Sequence, residues 1–263
     1  MSKIDDLFEQ LRLDGRKAFM PFVTAGDPDL QVTSQLIQSF DRQGCHLCEI
    51  GIPYSDPIAD GPVIQASYTR ALDHGVTVEQ IIRMLGETNP QITMPTVTMV
   101  SYAIVYRLGV EGYIDLAIRN GVSGVIVPDL PVEEAESLSR ICRDRDFSLI
   151  QLVTPTTGRE RAKRILETSS GFIYYVSVTG ITGERTTLPP DIVENVSWLR
   201  EQGELPVCIG FGISEPEHVQ QLSPHCDGLI VGSAIVRRIA ACGDPGQIEA
   251  EVAGYVDQML KAL

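Results

Sequence analysis

Lysine is scarce in this chain: 263 residues hold only Lys3, Lys17, Lys163 and Lys261. None stands at the end of an apolar run, so a strand-end Schiff-base lysine is not expected. Histidine is equally thin, at positions 46, 74, 218 and 225, and shows no metal-ligand spacing. A zinc ion polarising a carbonyl is therefore not expected either. Cys45-His-Leu-Cys48 has the spacing of half a zinc site, but no second pair follows. Residues three apart on a strand also point to opposite faces. In a chain of this length whose start is not signal-like, the six cysteines read as buried small hydrophobes in a reducing cytoplasm. No stretch reaches the roughly 18 apolar residues that span a bilayer. The opening MSKIDDLFEQLRLDG is acidic and amphipathic, so neither a membrane span nor a targeting segment is expected. Positive charge is short as well. Lys and Arg number 21 against 35 Asp and Glu, a net charge of −14, which makes nucleic acid and anionic membranes poor partners. A small anion can still be held locally by backbone amides. No G-x-G-x-x-G turn, no Walker loop and no strand-end Ser/His/Asp set occurs.

A repeated grammar is present instead. A short apolar run, a turn rich in Gly, Pro or Asp, and a helical pattern follow one another along the chain. The runs are Ala18–Val23, Leu47–Ile52, Pro95–Val100, Gly124–Val127, Ser148–Val153, Phe172–Val178, Pro206–Phe211 and Gly228–Val231. Between them Val32, Leu36, Ile37 and Phe40 recur at helical spacing, as do Val78, Ile81, Ile82 and Leu85. Leu138, Ile141 and Cys142 continue the pattern behind Glu133, Glu134 and Glu136, where a helix dipole favours acids. Ser214-Glu-Pro-Glu217 has the form of a capping box opening the helix of Val219 and Leu222. Eight buried strands alternating with helices imply an α/β fold, a (β/α)8 TIM barrel formed by residues 1–263 as a single domain. An open doubly wound sheet is the alternative; its dinucleotide turn after the first strand would here read Thr24-Ala-Gly-Asp-Pro28.

In such a barrel the site lies at the carboxyl ends of the strands. Period two puts Leu47, Glu49 and Gly51 on one face and the apolar Cys48, Ile50 and Ile52 on the other, which sends Glu49 into the barrel. A carboxylate there needs a raised pKa or a partner. It is either a general acid/base or a structural carboxylate held by an arginine. The following loop, Pro53 to Pro62, carries Asp56 and Asp60, which by position alone are equally well turn formers. Glycines at Gly210, Gly212, Gly228, Gly232, Gly180 and Gly183 open three strand-end segments to close backbone approach. Loops seven and eight are the usual phosphate place in these barrels. The stretch from Thr179 to Pro190 is long enough for a lid. Carboxylate acid/base chemistry on a phosphorylated small molecule is what remains.

Glu49-Ile-Gly-Ile-Pro-Tyr-Ser-Asp-Pro-Ile-Ala-Asp-Gly-Pro-Val-Ile-Gln65 closely resembles the signature of the tryptophan synthase alpha chain family. So do Phe22-Val-Thr-Ala-Gly-Asp-Pro28, Pro128-Asp-Leu-Pro-Val-Glu-Glu134, the segment Tyr174 to Gly183, Gly210-Phe-Gly-Ile213 and Val231-Gly-Ser-Ala234. They run in the family's order from about residue 4 to residue 240. The resemblance implies cleavage of indole-3-glycerol phosphate to indole and glyceraldehyde 3-phosphate, with no cofactor or metal on this chain. It implies an α2β2 heterotetramer with a tryptophan synthase beta chain, which carries pyridoxal phosphate (PLP) and receives the indole. It assigns Glu49 as acid/base, Asp60 as its partner carboxylate and Tyr174 as the active-site tyrosine, where periodicity does not choose between Tyr174 and Tyr175. Gly183, Gly212, Gly232 and Ser233 match phosphate-binding positions. Phe22, Val100, Tyr102, Ile126 and Phe211 match apolar positions around the indole. Thr182 matches the lid residue that closes onto Asp60, and Asp56 and Pro57 match the loop facing the beta chain. At Ile104 the family usually has asparagine near that contact.

Overall fold

The structure is a computed structural model that describes residues 2–57, 60–176, 190–210 and 212–263, apart from the side chains of residues 190 and 191. Its strands are β1 (Ala18–Thr24), β2 (Cys48–Gly51), β3 (Thr96–Met99), β4 (Gly124–Ile126), β5 (Ser148–Val153), β6 (Ile173–Val176), β7 (Val207–Gly210) and β8 (Gly228–Val231). Each pairs in parallel with the next, and β8 returns to β1, closing an eight-stranded barrel with helices between the strands. All eight apolar runs of the sequence are strands. The open doubly wound alternative is thereby overturned.

Side-chain alternation divides the core in two. Cys48, Ile50 and Ile52 face the helical layer with Val23, Tyr175 and Ile209. Leu47, Val97, Met99, Ile126, Ile150 and Tyr174 fill the barrel interior. In register, Phe22 of β1 lies beside Glu49 of β2, and Val97 of β3 lies on its other side. Glu49 is therefore the one acid among apolar inward neighbours, as period two requires.

The loop after β2 is pinned at its far end. Pro62 begins the helix Pro62–Asp73 at a position whose N–H would be unsatisfied in any residue. Gln65 in its first turn donates to the carbonyls of Pro57 and Asp60 at 3.1 and 2.8 Å. The helix is tied back to β1 by Arg70, which grips buried Asp27 through Nε and Nη2 at 2.9 and 2.6 Å. A hydroxyl–hydroxyl bond of 2.6 Å joins Thr24 to Ser67. These contacts fix the height of Asp60 above the barrel mouth.

The capping-box expectation at Ser214 is corrected. The helix is Pro216–Leu222, its N-cap is Glu215, and no side chain caps it. Proline at the first helical position sets the start one residue later than a serine cap would. Ser214 instead donates its backbone N–H to His218 Nδ1 at 3.3 Å.

The Cys45–Cys48 segment is structural. Phe19 donates its N–H to His46 Nδ1 at 3.0 Å, and burial pushes the Cys45 thiol up to about 12, with the Asp41 charge adding to the rise. All six cysteines are free and five are buried. Among the described residues no helix is long and apolar enough to cross a membrane.

Candidate active site

At the carboxyl ends of the strands the barrel opens into a cavity of about 290 Å³. Its wall is apolar over most of the circumference, with Phe22, Met99, Leu152, Val176 and Ile230 among the lining side chains. Polar groups collect at two poles. Glu49 and Asp60 form one; Gly212, Ser214, Gly232, Ser233 and Arg237 form the other.

Glu49 is 2% exposed, and its Oε2 has no hydrogen-bond partner among the described residues. Burial pushes its carboxyl up to about 8, and the neighbouring charge of Asp60 adds to the rise. It is thus a protonated acid near neutral pH, because the interior offers an anion no compensating donor. No arginine pairs with it among the described residues, so the reading as a structural carboxylate held by an arginine is not what the fold builds. Asp60 is half-buried. Desolvation raises its carboxyl to about 6, a hydrogen bond from Tyr54 pulls it down, and the charge of Asp129 pushes it up. The two acids differ because one has a donor and some solvent and the other has neither. Two carboxyls in one cavity are thus held in divergent environments.

Tyr174 lines the cavity from β6, whereas Tyr175 points into the helical layer, where Asn195 donates to its hydroxyl at 3.3 Å. Alternation on the strand settles which tyrosine faces the site. Gly210, in the register of the neighbouring β7, is what lets the Tyr174 ring lie against the barrel wall. A Cβ there would sit 2.7 Å from the ring's Cζ.

The opposite pole suits an anion. Gly212 has φ +76°, a left-handed conformation that glycine adopts at little cost and other residues rarely do. Gly232 is the N-cap of the helix Ser233–Ala241, and no side chain caps that helix. Its first amides and the positive end of its dipole are left for a ligand. One turn further on, exposed Arg237 also lines the cavity and makes no salt bridge among the described residues.

Of the residues singled out in the sequence, the cavity gathers Phe22, Glu49, Asp60, Tyr174, Gly212, Gly232 and Ser233. Three others matched to the indole wall do not line this cavity. Val100 is the outward alternate of Met99 and packs in the helical layer, so Met99 takes the wall position. Tyr102 opens the helix Tyr102–Leu108 with its N–H donated to Asp129 at 2.8 Å, and it stacks on Tyr106. Ile126 packs inside the barrel without lining the cavity. Asp56 is exposed on the loop after β2, with Pro57 beside it, and neither lines the cavity. Phe211, Thr182 and Gly183 lie outside the described residues. Arg237 and Met99 were not singled out in the sequence. Arg237 sits on a helix face, where only spacing from Ser233 could have pointed to it.

Residues 8–263 match the family model of the tryptophan synthase alpha chain. The alpha chain of tryptophan synthase from Rhodopirellula baltica is 59% identical over 97% of this chain and 95% of that protein. The Prochlorococcus marinus protein of the same description is 44% identical over 98% of this chain and 94% of its own length. Among solved structures, tryptophan synthase subunit alpha from Legionella pneumophila superposes with TM-score 0.90 at 31% identity, covering 100% of this chain and 98% of that one. A chain of the tryptophan synthase α2β2 complex from Pyrococcus furiosus superposes with TM-score 0.88 at 35% identity, over 93% and 98% of the two chains.

Proposed function

The chain belongs to the tryptophan synthase alpha chain family of indole-3-glycerol-phosphate lyases, and we propose that Glu49 and Asp60 perform its cleavage as an acid/base pair. The observation that carries this reading is the joint placement of two carboxyls with separated pKa values, about 8 and about 6, in one apolar cavity. The phosphate-suited pole lies in the same cavity.

The chemistry demands such a pair. The bond to break joins C3 of indole to a hydroxyl-bearing carbon, and its electron pair needs a place to go. Protonation of C3 supplies one, because the ring then becomes an iminium between C2 and the nitrogen. Glu49, protonated at neutral pH, gives that proton. Asp60, ionised at the same pH, faces the positive charge growing on the ring N–H. The Glu49 carboxylate then takes the proton of the side-chain hydroxyl. As that O–H becomes the aldehyde C=O, the carbon–carbon bond breaks and its electrons restore the C2=C3 double bond. The products are indole and glyceraldehyde 3-phosphate, and Glu49 ends protonated as it began.

Substrate orientation follows from the two poles. The phosphoryl group sits against Gly212, Gly232 and Ser233 with Arg237 at its side, and the indole lies against Phe22, Met99 and Tyr174. Remote phosphate binding of this kind holds the scissile bond beside Glu49. Gly183 and Thr182, on the segment after β6, belong in this scheme to the phosphate cradle and to a lid closing over Asp60.

The partner is a tryptophan synthase beta chain, in an α2β2 assembly, with PLP on that chain and not on this one. Asp56 and Pro57 on the exposed loop after β2, and the helix Tyr102–Leu108 with its outward Tyr106, present the surface for it at the cavity mouth. Five buried thiols in a chain with no disulfide suit a cytoplasmic setting.

The test is release of indole from indole-3-glycerol phosphate by the purified chain, with and without a beta chain. Cleavage that accelerates on adding the beta chain supports substrate, reaction and partner together. Absence of cleavage in both conditions, with the beta chain competent on free indole, would overturn the reading.

A further inference from the structure

Three buried oxygens around the acid pole have no hydrogen-bond partner among the described residues: Glu49 Oε2, Asp60 Oδ2 and Tyr68 Oη. A buried, unsatisfied polar atom is costly, so three at one place call for a reason. The first two belong to the proposed acid/base pair. Tyr68 does not.

Tyr68 comes from the helix Pro62–Asp73, yet it is 1% exposed and packs in the barrel interior, not in the helical layer. Its hydroxyl reaches the inner face of β2. A Cβ on Gly51 would lie 2.7 Å from Tyr68 Oη and 2.6 Å from Phe22 Cζ, so Gly51 makes the room into which both rings point. Glu49 stands on the same face of the same strand, two residues earlier. The ring is held from behind by Tyr54, at 5.6 Å between centroids, and the helix itself by Arg70 and Ser67.

The two carboxyls are unequally provided for. The Tyr54 hydroxyl holds the Asp60 carboxyl down, and Glu49 Oε2 has no partner among the described residues. We propose that Tyr68 is the positioning residue for Glu49, its hydroxyl donating to the Glu49 carboxylate in the part of the cycle when that group is charged. No proton is transferred in this step. Glu49 loses its proton to C3 of the ring, the O–H of Tyr68 turns to the anion left behind, and the bond is released when Glu49 recovers a proton from the substrate hydroxyl. In the structure that bond is unmade, with Glu49 Oε2 and Tyr68 Oη both left without a partner among the described residues. A hydrogen bond formed only when charge develops lowers the barrier without tightening substrate binding. This inference rests on the proposed role of Glu49.

The groups facing Tyr68 and Glu49 come from several elements. Asp60 and Tyr54 come from the loop after β2 and Tyr174 from β6, while Arg237 lines the same cavity at its other pole. Asp129, after β4, acts on Asp60 and Tyr54. Tyr68→Phe removes one oxygen and leaves the rest of this set in place.

The experiment compares kcat and the pH profile of indole release for wild type, Tyr68→Phe and Tyr54→Phe, each with beta chain present, alongside Glu49→Gln. Tyr68→Phe is expected to keep the wild-type melting temperature and KM and to lose about 10-fold in kcat, the scale of a hydrogen bond to a charged group. The alkaline limb, which follows Glu49, should move up by about one pH unit, because the anion has lost its donor. Tyr54→Phe should move the acid limb, which follows Asp60, and leave the alkaline limb alone. An unchanged kcat in Tyr68→Phe, or a lower kcat with an unmoved alkaline limb, overturns the proposal. Should Tyr68→Phe fail to fold, the Tyr54→Phe profile decides: an alkaline limb that follows Tyr54 would make Tyr54 the donor to Glu49. Wild-type turnover in Glu49→Gln would instead remove the acid/base reading on which the proposal rests.

Discussion

Replacing Glu49 with glutamine should make the protein more stable in a pH-dependent way while it destroys turnover. In the folded chain this carboxyl titrates at about 8, against 4.5 when unperturbed. Below pH 4.5 it is neutral folded or unfolded and contributes no difference. Between 4.5 and 8 the unfolded chain gives up the proton and the folded chain keeps it, so stability falls as pH rises. Above 8 the loss is complete. At about 1.4 kcal/mol per pH unit, this amounts to about 3 kcal/mol by pH 7, about 4 kcal/mol at pH 8 and about 5 kcal/mol once both states are ionised. Glutamine has the same shape and never ionises. The wild-type-minus-variant difference therefore isolates Glu49, since contributions common to both proteins cancel. Urea unfolding of both proteins at pH 5, 6, 7 and 8 measures it. The variant should gain steadily on wild type across the series, offset by whatever constant the amide itself adds. Parallel curves, or a wild type that gains on the variant with rising pH, would refute the burial argument for Glu49.

Other outcomes follow from the same geometry. The kcat/KM profile should be a bell, rising as Asp60 ionises near pH 6 and falling as Glu49 ionises near pH 8; a single limb would mean that one carboxyl is not needed. Arg237→Ala should raise KM about 10-fold and leave kcat nearly unchanged, because a phosphate contact acts alike on substrate and transition state. A kcat loss without a KM change would move Arg237 into the chemistry. Gly210→Ala drives a methyl into the Tyr174 ring, so indole release should fall at least 10-fold, an estimate based on the sensitivity of catalysis to misplacement. Wild-type kinetics would show that the ring position is immaterial.

What could be read from the sequence depended on how locally it was encoded. The eight strands were legible because each is an apolar run bounded by turn residues, and the inward aim of Glu49 followed from alternation in β2 alone. The choice between Tyr174 and Tyr175 was local too, but both are apolar enough for either face, so only the folded strand, with Tyr174 inward and Tyr175 outward, decided it. Val100 shows the limit. β3 ends at Met99, which lines the cavity, and Val100 just past it packs in the helical layer, a change no local pattern announces. The serine at 214 matched a capping pattern, but Pro216 shifted the helix start. Arg237 and Tyr68 were invisible for a different reason. Each belongs to a helix whose pattern gives the face but not the depth to which one long side chain reaches into the barrel.

The central claim is that the proton of Glu49 makes the carbon–carbon bond breakable. Single-turnover release of indole from indole-3-glycerol phosphate by Glu49→Gln, with beta chain saturating and substrate affinity measured in parallel, tests it most directly. The account predicts substrate affinity within about threefold of wild type and turnover lower by about 10²- to 10⁴-fold, the range for a positioned acid/base group. Turnover within tenfold of wild type at unchanged affinity would contradict it.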